Sequence, residues 1–259
     1  MAKIYYLGTC SGTEPMVGMH HVSFVLEVNG VNYWFDAGEN CAHYAYTTGI
    51  NVMNTKALFI SHTHIDHTGG LANLLHCIRK LIVRESKSLI NQKLSVYIPK
   101  KEILDCAIML VTNGRPNDFD IVEYNGVQDG VIFKDENIKV TALHNRHLGE
   151  DGSNGWHSYS YLIEFEGKKL VFSGDIKKSF ELDELIGDGC DLLLHETGHH
   201  KIATVLEYLS SKNIKAMRFI HHGREIIYER ERCEELVGEY SKQNGVDVKI
   251  CHDLMIDEL

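Results

Sequence analysis

The run His62-Thr63-His64-Ile65-Asp66-His67 places three imidazoles and a carboxylate within six residues, directly after the apolar segment 57–60. In extended chain, residues two apart point to the same side, so His62 and His64 can converge on one metal ion. A turn immediately afterwards would let Asp66 and His67 face a second ion. Imidazole and carboxylate are borderline-to-hard donors that suit Zn²⁺, with Mn²⁺ and Fe²⁺ as competitors, and no thiol stands close enough in sequence to make a Cys-based site. Gly69 and Gly70 let the backbone leave this loop closely packed. Leu71, Leu74, Leu75, Ile78, Leu81 and Ile82 then follow at helical spacing, a stripe that reads as core.

A chain of 259 residues, 44% hydrophobic and without a proline-rich, serine-rich or low-complexity linker, is long enough for one large core, so residues 1–259 are expected to form a single domain. The net charge of −10 and the pI near 5.9 argue against a basic face for a long polyanion. A small anionic substrate is expected, and long nucleic acid is disfavoured. No membrane span and no cleavable apolar leader are present, which points to a cytoplasmic protein. The seven cysteines are scattered, odd in number and free of any C-x-x-C pair, as expected of buried thiols rather than a disulfide framework. The oligomeric state is left open, with a homodimer as one option.

Strand-like runs at 3–7, 22–28, 31–35, 57–60, 94–98, 138–143, 159–165 and 169–172 alternate with amphipathic stretches around 71–90, 100–112, 198–211 and 225–243, so the chain is α/β. Val28-Asn29-Gly30-Val31 and Phe165-Glu166-Gly167-Lys168 read as tight hairpin turns, one in each half. An aspartate follows a strand in each half: Asp36 after Phe35, and Asp175 after Phe172-Ser173-Gly174.

His62, His64, Asp66 and His67 match the signature motif of the metallo-β-lactamase superfamily of binuclear metallohydrolases, which the chain resembles over nearly its whole length. The opening Leu7-Gly8-Thr9-Cys10-Ser11-Gly12-Thr13-Glu14-Pro15 and the stretch Phe35-Asp36-Ala37-Gly38-Glu39 resemble its ribonuclease Z and phosphodiesterase branch. The resemblance implies a four-layered αββα sandwich, with two facing mixed sheets and outer helices. It also implies that Asp36 buttresses the metal loop and that Asp175 bridges two divalent ions. Of the histidines after the sixth strand-like run, His147 is chosen by resemblance as the further ligand of the first ion, with His144 in reserve and His157 as a pocket residue.

The segment Met217-Arg218-Phe219-Ile220-His221-His222 offers a histidine pair for the last ligand of the second ion; strand alternation puts His221 on the side of Met217 and Phe219 and favours it over His222, the alternative. The expected shells are His62, His64 and His147 for one ion, and Asp66, His67 and His221 for the other, with Asp175 shared. Leu194-His195-Glu196-Thr197 resembles the His-Glu-Ala-Thr segment of ribonuclease Z, although Gly198 follows a shifted threonine. His195 is then a candidate proton donor with Glu196 orienting its ring, and the catalytic set is Asp66, His195 and Glu196. The structural alternative has His195 and Glu196 tying down the next helix.

A metal pair lowers the pKa of a bound water toward about 7 and steadies both the attacking and the leaving oxygen. A small phosphodiester, such as a cyclic nucleotide or a cyclic phosphate ester, gains most from such a site, and Arg146, Lys177 and Arg224 are candidate anion contacts. The alternatives are a carbonyl hydrolase acting on a lactone, thioester or β-lactam, and a tRNA 3′-processing endonuclease of the ribonuclease Z type. The latter family holds tRNA with a basic Gly/Pro-rich arm, and the segment 113–137 is polar and acidic instead.

Overall fold

The computed structural model describes residues 2–116, 119–149 and 155–259. Asn117 and Asp118 of the acidic segment, and 150–154 of the loop before His157, lie outside the described residues. The chain packs as two compact units, Met1–Gly8 with Glu14–Val127 and Asp253–Leu259, and Thr9–Thr13 with Gln128–His252.

The first unit carries β1 (Ala2–Gly8), β2 (Ser23–Val28), β3 (Val31–Phe35), β4 (Thr55–Phe59), β5 (Leu94–Tyr97) and β6 (Val122–Asn125). The second carries β7 (Gly130–Lys134), β8 (Ile138–His144), β9 (Tyr159–Phe165), β10 (Lys168–Phe172), β11 (Cys190–Glu196), β12 (Ile214–Ile220) and β13 (Asp247–Ile250). A last strand, β14 (Ile256–Glu258), pairs with β1 at the edge of the first sheet. Helices α1 (Cys41–Thr47), α2 (Ile65–Thr68), α3 (Leu71–Glu85) and α4 (Lys101–Val111) belong to the first unit, and α5 (Asp183–Ile186), α6 (Ile202–Leu209) and α7 (Arg224–Asn244) to the second.

Each sheet has seven strands, in the orders β14-β1-β2-β3-β4-β5-β6 and β13-β12-β11-β10-β9-β8-β7. Both begin as an antiparallel meander and become parallel part-way. The change falls at β3, antiparallel to β2 and parallel to β4, and at β10, antiparallel to β9 and parallel to β11. Loops leaving the carboxyl ends of strands at such a switch are where open α/β sheets carry their sites. Asp36 and Asp175 leave from these two strands.

The two hairpins form as their sequences require. Asn29 and Gly30 have φ of 53° and 77°, and Glu166 and Gly167 have 47° and 75°, the double left-handed geometry whose twist matches the flanking strands. In the first unit Leu71, Leu74, Leu75, Ile78 and Leu81 of α3 bury against Trp34, Leu58 and Val96 of the sheet, with Ile82 partly buried at the margin. Each such side chain contributes roughly 1.5–3 kcal/mol by leaving water.

The acidic segment 113–137 is not only a loop, since it holds the edge strands β6 and β7. Most of their residues face solvent, so neither shows the apolar alternation by which a half-buried strand is recognised. All seven cysteines are free thiols, five of them buried. Among the described residues no helix is long and apolar enough to cross a membrane.

Candidate metal centre

In the first unit the chain leaves β4, passes Ser61 and His62, and enters the one-turn helix α2. His62 Nε2 and His64 Nδ1 approach to 3.0 Å, while Asp66 Oδ2 lies 3.4 Å from His67 Nε2. His62 and His67 are fully buried, and His64 is exposed. Asp36, with no exposed surface, organises this turn. Its Oδ1 accepts the Ser61 backbone N–H at 2.7 Å, and its Oδ2 accepts the Ser61 hydroxyl at 2.8 Å and His67 Nδ1 at 2.7 Å. A carboxylate on Nδ1 fixes the tautomer that offers the Nε2 lone pair, the arrangement a metal-ligating imidazole needs.

Backbone bonds clamp the same turn, from Ala37 N–H to the His67 carbonyl at 2.8 Å and from Gly70 N–H to the Ala37 carbonyl at 2.8 Å. Gly70 lies so close to Gly38 that a Cβ would overlap the Gly38 carbonyl oxygen and come within 2.8 Å of Cys41 Sγ. Cys41 fills the space behind the loop, where burial pushes its thiol up to about 12. Asp36→Asn, which replaces the acceptor facing His67 by an amide, is expected to weaken metal binding by about 10- to 100-fold with the fold intact. Competition against a chelator measures it, and unchanged affinity would remove Asp36 from the buttress role.

In the second unit three strand ends deliver donors. After β8, Asn145 turns the chain: its N–H donates to the Ser158 carbonyl at 3.0 Å, its amide donates to Ser160 Oγ at 3.1 Å, and its Oδ1 accepts His147 N–H at 3.2 Å. His147 Nε2 lies 3.6 Å from Asp175 Oδ2, and His221 Nδ1 lies 3.3 Å from Asp175 Oδ1. The Asp175 carboxylate thus meets His221 at one oxygen and His147 at the other, with His199 Nδ1 3.8 Å from the latter. His144 turns elsewhere, with Nδ1 2.7 Å from Asp129 Oδ2 and its ring stacked on Trp156 at 3.9 Å.

Strand alternation does not set the direction of His221, because β12 ends at Ile220 and His221 takes a left-handed φ of 51°. A strained backbone is retained where the surroundings over-determine it. Here His222 supplies much of the anchoring. Its N–H donates to the Thr9 carbonyl at 2.7 Å, and its carbonyl accepts Ser11 N–H at 3.1 Å and the Ser11 hydroxyl at 2.7 Å. Its ring is buried with Nε2 2.9 Å from the Cys251 carbonyl, and burial pushes it down to about 3. The glycine at position 198 has a local reason, since a Cβ there would come within 2.6 Å of His221 Nδ1.

The expected pairing of His195 with the Glu196 carboxylate is not present. Successive residues of β11 point to opposite faces. His195 is fully buried, its Nδ1 2.6 Å from the backbone carbonyl of Glu196 and its Nε2 3.1 Å from Ser179 Oγ, and burial lowers its pKa to about 4. The buried Glu196 carboxylate instead accepts His199 Nδ1 at 3.0 Å and His199 N–H at 2.9 Å. Burial works to raise the Glu196 carboxyl, but hydrogen bonds from His199 and His221 outweigh it and hold the group low; the same bond from Glu196 raises His199. Glu196, His199 and His221 each bring a donor atom within 4.8 Å of the others.

His199 was not among the residues singled out from sequence, and the three-residue interval Glu196–His199 is the signal that would have found it. Its side chain is 44% exposed, where that of His195 has no exposed surface. His199 and His147 line a cavity of about 280 Å³ together with Arg146, Gly149, Ile176 and Lys177. Arg224 turns to the Tyr228 hydroxyl at 2.9 Å on α7.

The fold is shared with proteins of solved structure. Human tRNase Z, short form, is similar over 99% of this chain and 98% of its own, with a TM-score of 0.71 at 18% identity. Zn(2+)-bound PqqB from Methylobacterium extorquens is similar over 99% and 100%, with a TM-score of 0.70 at 14% identity. Ribonuclease Z of Methanocaldococcus jannaschii is 25% identical over 261 residues, covering 99% of this chain and 74% of the relative. The architecture is the metallo-β-lactamase α/β sandwich, and with donor turns of histidine and aspartate at its strand ends the chain is a metal-dependent hydrolase. Residues 2–235 match the model of the anti-Pycsar protein Apyc1 family, and the chain belongs to that family.

These relatives correct one expectation. Ribonuclease Z and tRNase Z are named for RNA substrates, so the net charge does not set long nucleic acid aside. A charge of −10 is summed over the whole surface, whereas screening confines each exposed charge to roughly 8–10 Å. Locally, Arg146, Lys177 and Lys178 line one cavity of the second unit.

Proposed function

We propose that this hydrolase cleaves a small phosphodiester, such as a cyclic nucleotide or a cyclic phosphate ester, with residues 1–259 acting as one domain in the cytoplasm. In this reading one ion is held by His62, His64 and His147, the other by Asp66, His67 and His221, and Asp175 serves both. The donor chemistry of each unit supports the assignment: neutral imidazoles and carboxylates without thiols suit zinc, with manganese or iron as competitors. When bound, two such ions supply an activated water and stabilise charge on the attacking and leaving oxygens.

The observation that carries the phosphodiester reading is the cavity in which Arg146 and Lys177 stand beside His147 and His199. A phosphodiester is negative before reaction and gains charge during it, so fixed cations hold it throughout, whereas a lactone or thioester starts neutral. Arg146 and Lys177 are assigned to the non-bridging oxygens. His199, braced through Nδ1 by Glu196, is assigned to pass a proton from Nε2 to the departing oxygen. Asp66 acts as a ligand, and His195 is a positioning residue that holds Ser179. Cleavage of precursor tRNA is the second reading, supported by the relative named ribonuclease Z that spans this chain.

A substrate screen of the metal-loaded protein tests the proposal. Bis-p-nitrophenyl phosphate and cyclic nucleotides are expected to turn over, with about two equivalents of divalent metal per chain. Specific cutting of precursor tRNA with inert small phosphodiesters would move the assignment to the second reading. Efficient lactone or thioester turnover with inert phosphodiesters would make the protein a carbonyl hydrolase.

A further inference from the structure

Glu196 closes β11 with no exposed surface, and its carboxylate stands between two imidazoles. Oε1 lies 3.0 Å from His199 Nδ1, and Oε2 lies 3.6 Å from His221 Nδ1. Donors that share one tetrahedral ion at ordinary zinc bond lengths are roughly 3.3 Å apart, a value these two distances bracket. The carboxylate is also fixed from the backbone: the N–H groups of His199 and Ile176 donate to it at 2.9 and 3.4 Å, and His200 Nε2 lies 3.4 Å from Oε1.

Glu196, His199 and His221 all belong to the second unit, whereas the place proposed for the second ion also needs Asp66 and His67 of the first. His221 Nδ1 is common to both places. It faces Asp175 Oδ1 at 3.3 Å and Glu196 Oε2 at 3.6 Å, and one lone pair serves one ion at a time. Occupation through His221 is therefore exclusive. Access differs as well: the His199 side chain is 44% exposed and lines the cavity of about 280 Å³, while those of His221 and Asp175 are almost wholly buried. An ion arriving from solvent meets His199 first.

We infer that Glu196, His199 and His221 form an entry seat for a divalent metal ion, held by the second unit alone, from which the ion passes over His221 to Asp175. The inference rests on the two-ion reading above and adds to it the route by which the second ion is taken up. Two imidazoles and a carboxylate suit zinc and leave positions for water, which lets the seat release what it holds. Uptake and hydrolysis become exclusive. An ion on Nδ1 takes the place of the proton that Glu196 accepts there, so the ring cannot carry protons on both nitrogens and give one up from Nε2. His199 serves as a proton donor only after the seat is vacated.

Asp66→Ala removes a donor from the final place of the second ion and spares the bond between Asp36 and His67, so in this variant the ion is expected to stay in the seat. After equilibration with Zn²⁺ and desalting, Asp66→Ala should keep about two equivalents and Asp66→Ala/His199→Ala about one. Uptake of Co²⁺ by metal-free protein, followed by stopped-flow absorption, needs no buried substitution. His199→Ala, altered only at a partly exposed ring, should take up the second ion more slowly than the wild type and reach the same final content. Equal content in the two Asp66 variants, or equal uptake rates in wild type and His199→Ala, would overturn the seat and leave the two-ion reading standing. A wild type that saturates at one ion would overturn that reading itself.

Discussion

Purified Asp175→Ala is expected to hold less than one equivalent of divalent metal and to lose hydrolysis by more than about 100-fold, beyond the upper end of what an outer-shell partner costs. The expectation follows from its place in the second unit. One carboxylate, 2% exposed at the end of β10, meets His147 through one oxygen and His221 through the other. Among the described residues of the second unit it is the carboxylate that meets both imidazoles, so its removal takes away charge compensation for any cation placed there. Metal analysis after gel filtration gives the answer, and two tightly retained ions in this variant would refute the bridging role.

His199→Ala is expected to leave the metal content unchanged while kcat falls by about 10²–10⁴, the contribution of a positioned proton donor. Its dependence on leaving group separates catalysis from architecture. An alkoxide must be protonated as it departs, whereas p-nitrophenolate departs without help, so the loss should be large for a cyclic nucleotide and small for bis-p-nitrophenyl phosphate. Equal losses for both substrates would make the ring a structural element, and loss of metal would make it a ligand, which its approach to His221 and Glu196 also allows.

Those features that depend on short-range periodicity could be read without coordinates. The hairpins at Asn29-Gly30 and Glu166-Gly167, the α3 stripe and the two strands that end in aspartates follow from local rules with period 2 or 3.6. Features set by turns beyond strand ends could not be read in this way. The choice between His144 and His147 depends on Asn145, whose side chain reverses the chain by bonding Ser160 and the His147 amide. His221 is directed by a left-handed residue conformation for which a histidine gives no signal. His195 and Glu196, neighbours on a strand, face apart, while His199, three residues away across a turn, comes back to the Glu196 carboxylate, a partnership that adjacency in sequence conceals. The edge strands β6 and β7 were hidden by their exposure.

Thr9 and Ser11 clamp the backbone of His222 beside the last proposed ligand. More than 200 residues separate the two sides of this clamp, so in folding it is a contact of very high sequence separation and is expected to close late. Residues 128–252 would therefore make a poor excised fragment: without the Thr9–Thr13 segment that belongs to their unit, the turn bearing His221 loses the bonds that hold its left-handed geometry. During synthesis Thr9 and Ser11 must wait for about 200 further residues to emerge before this clamp can close. The proposed metal ligation through His221 would then be acquired late in folding rather than along the way.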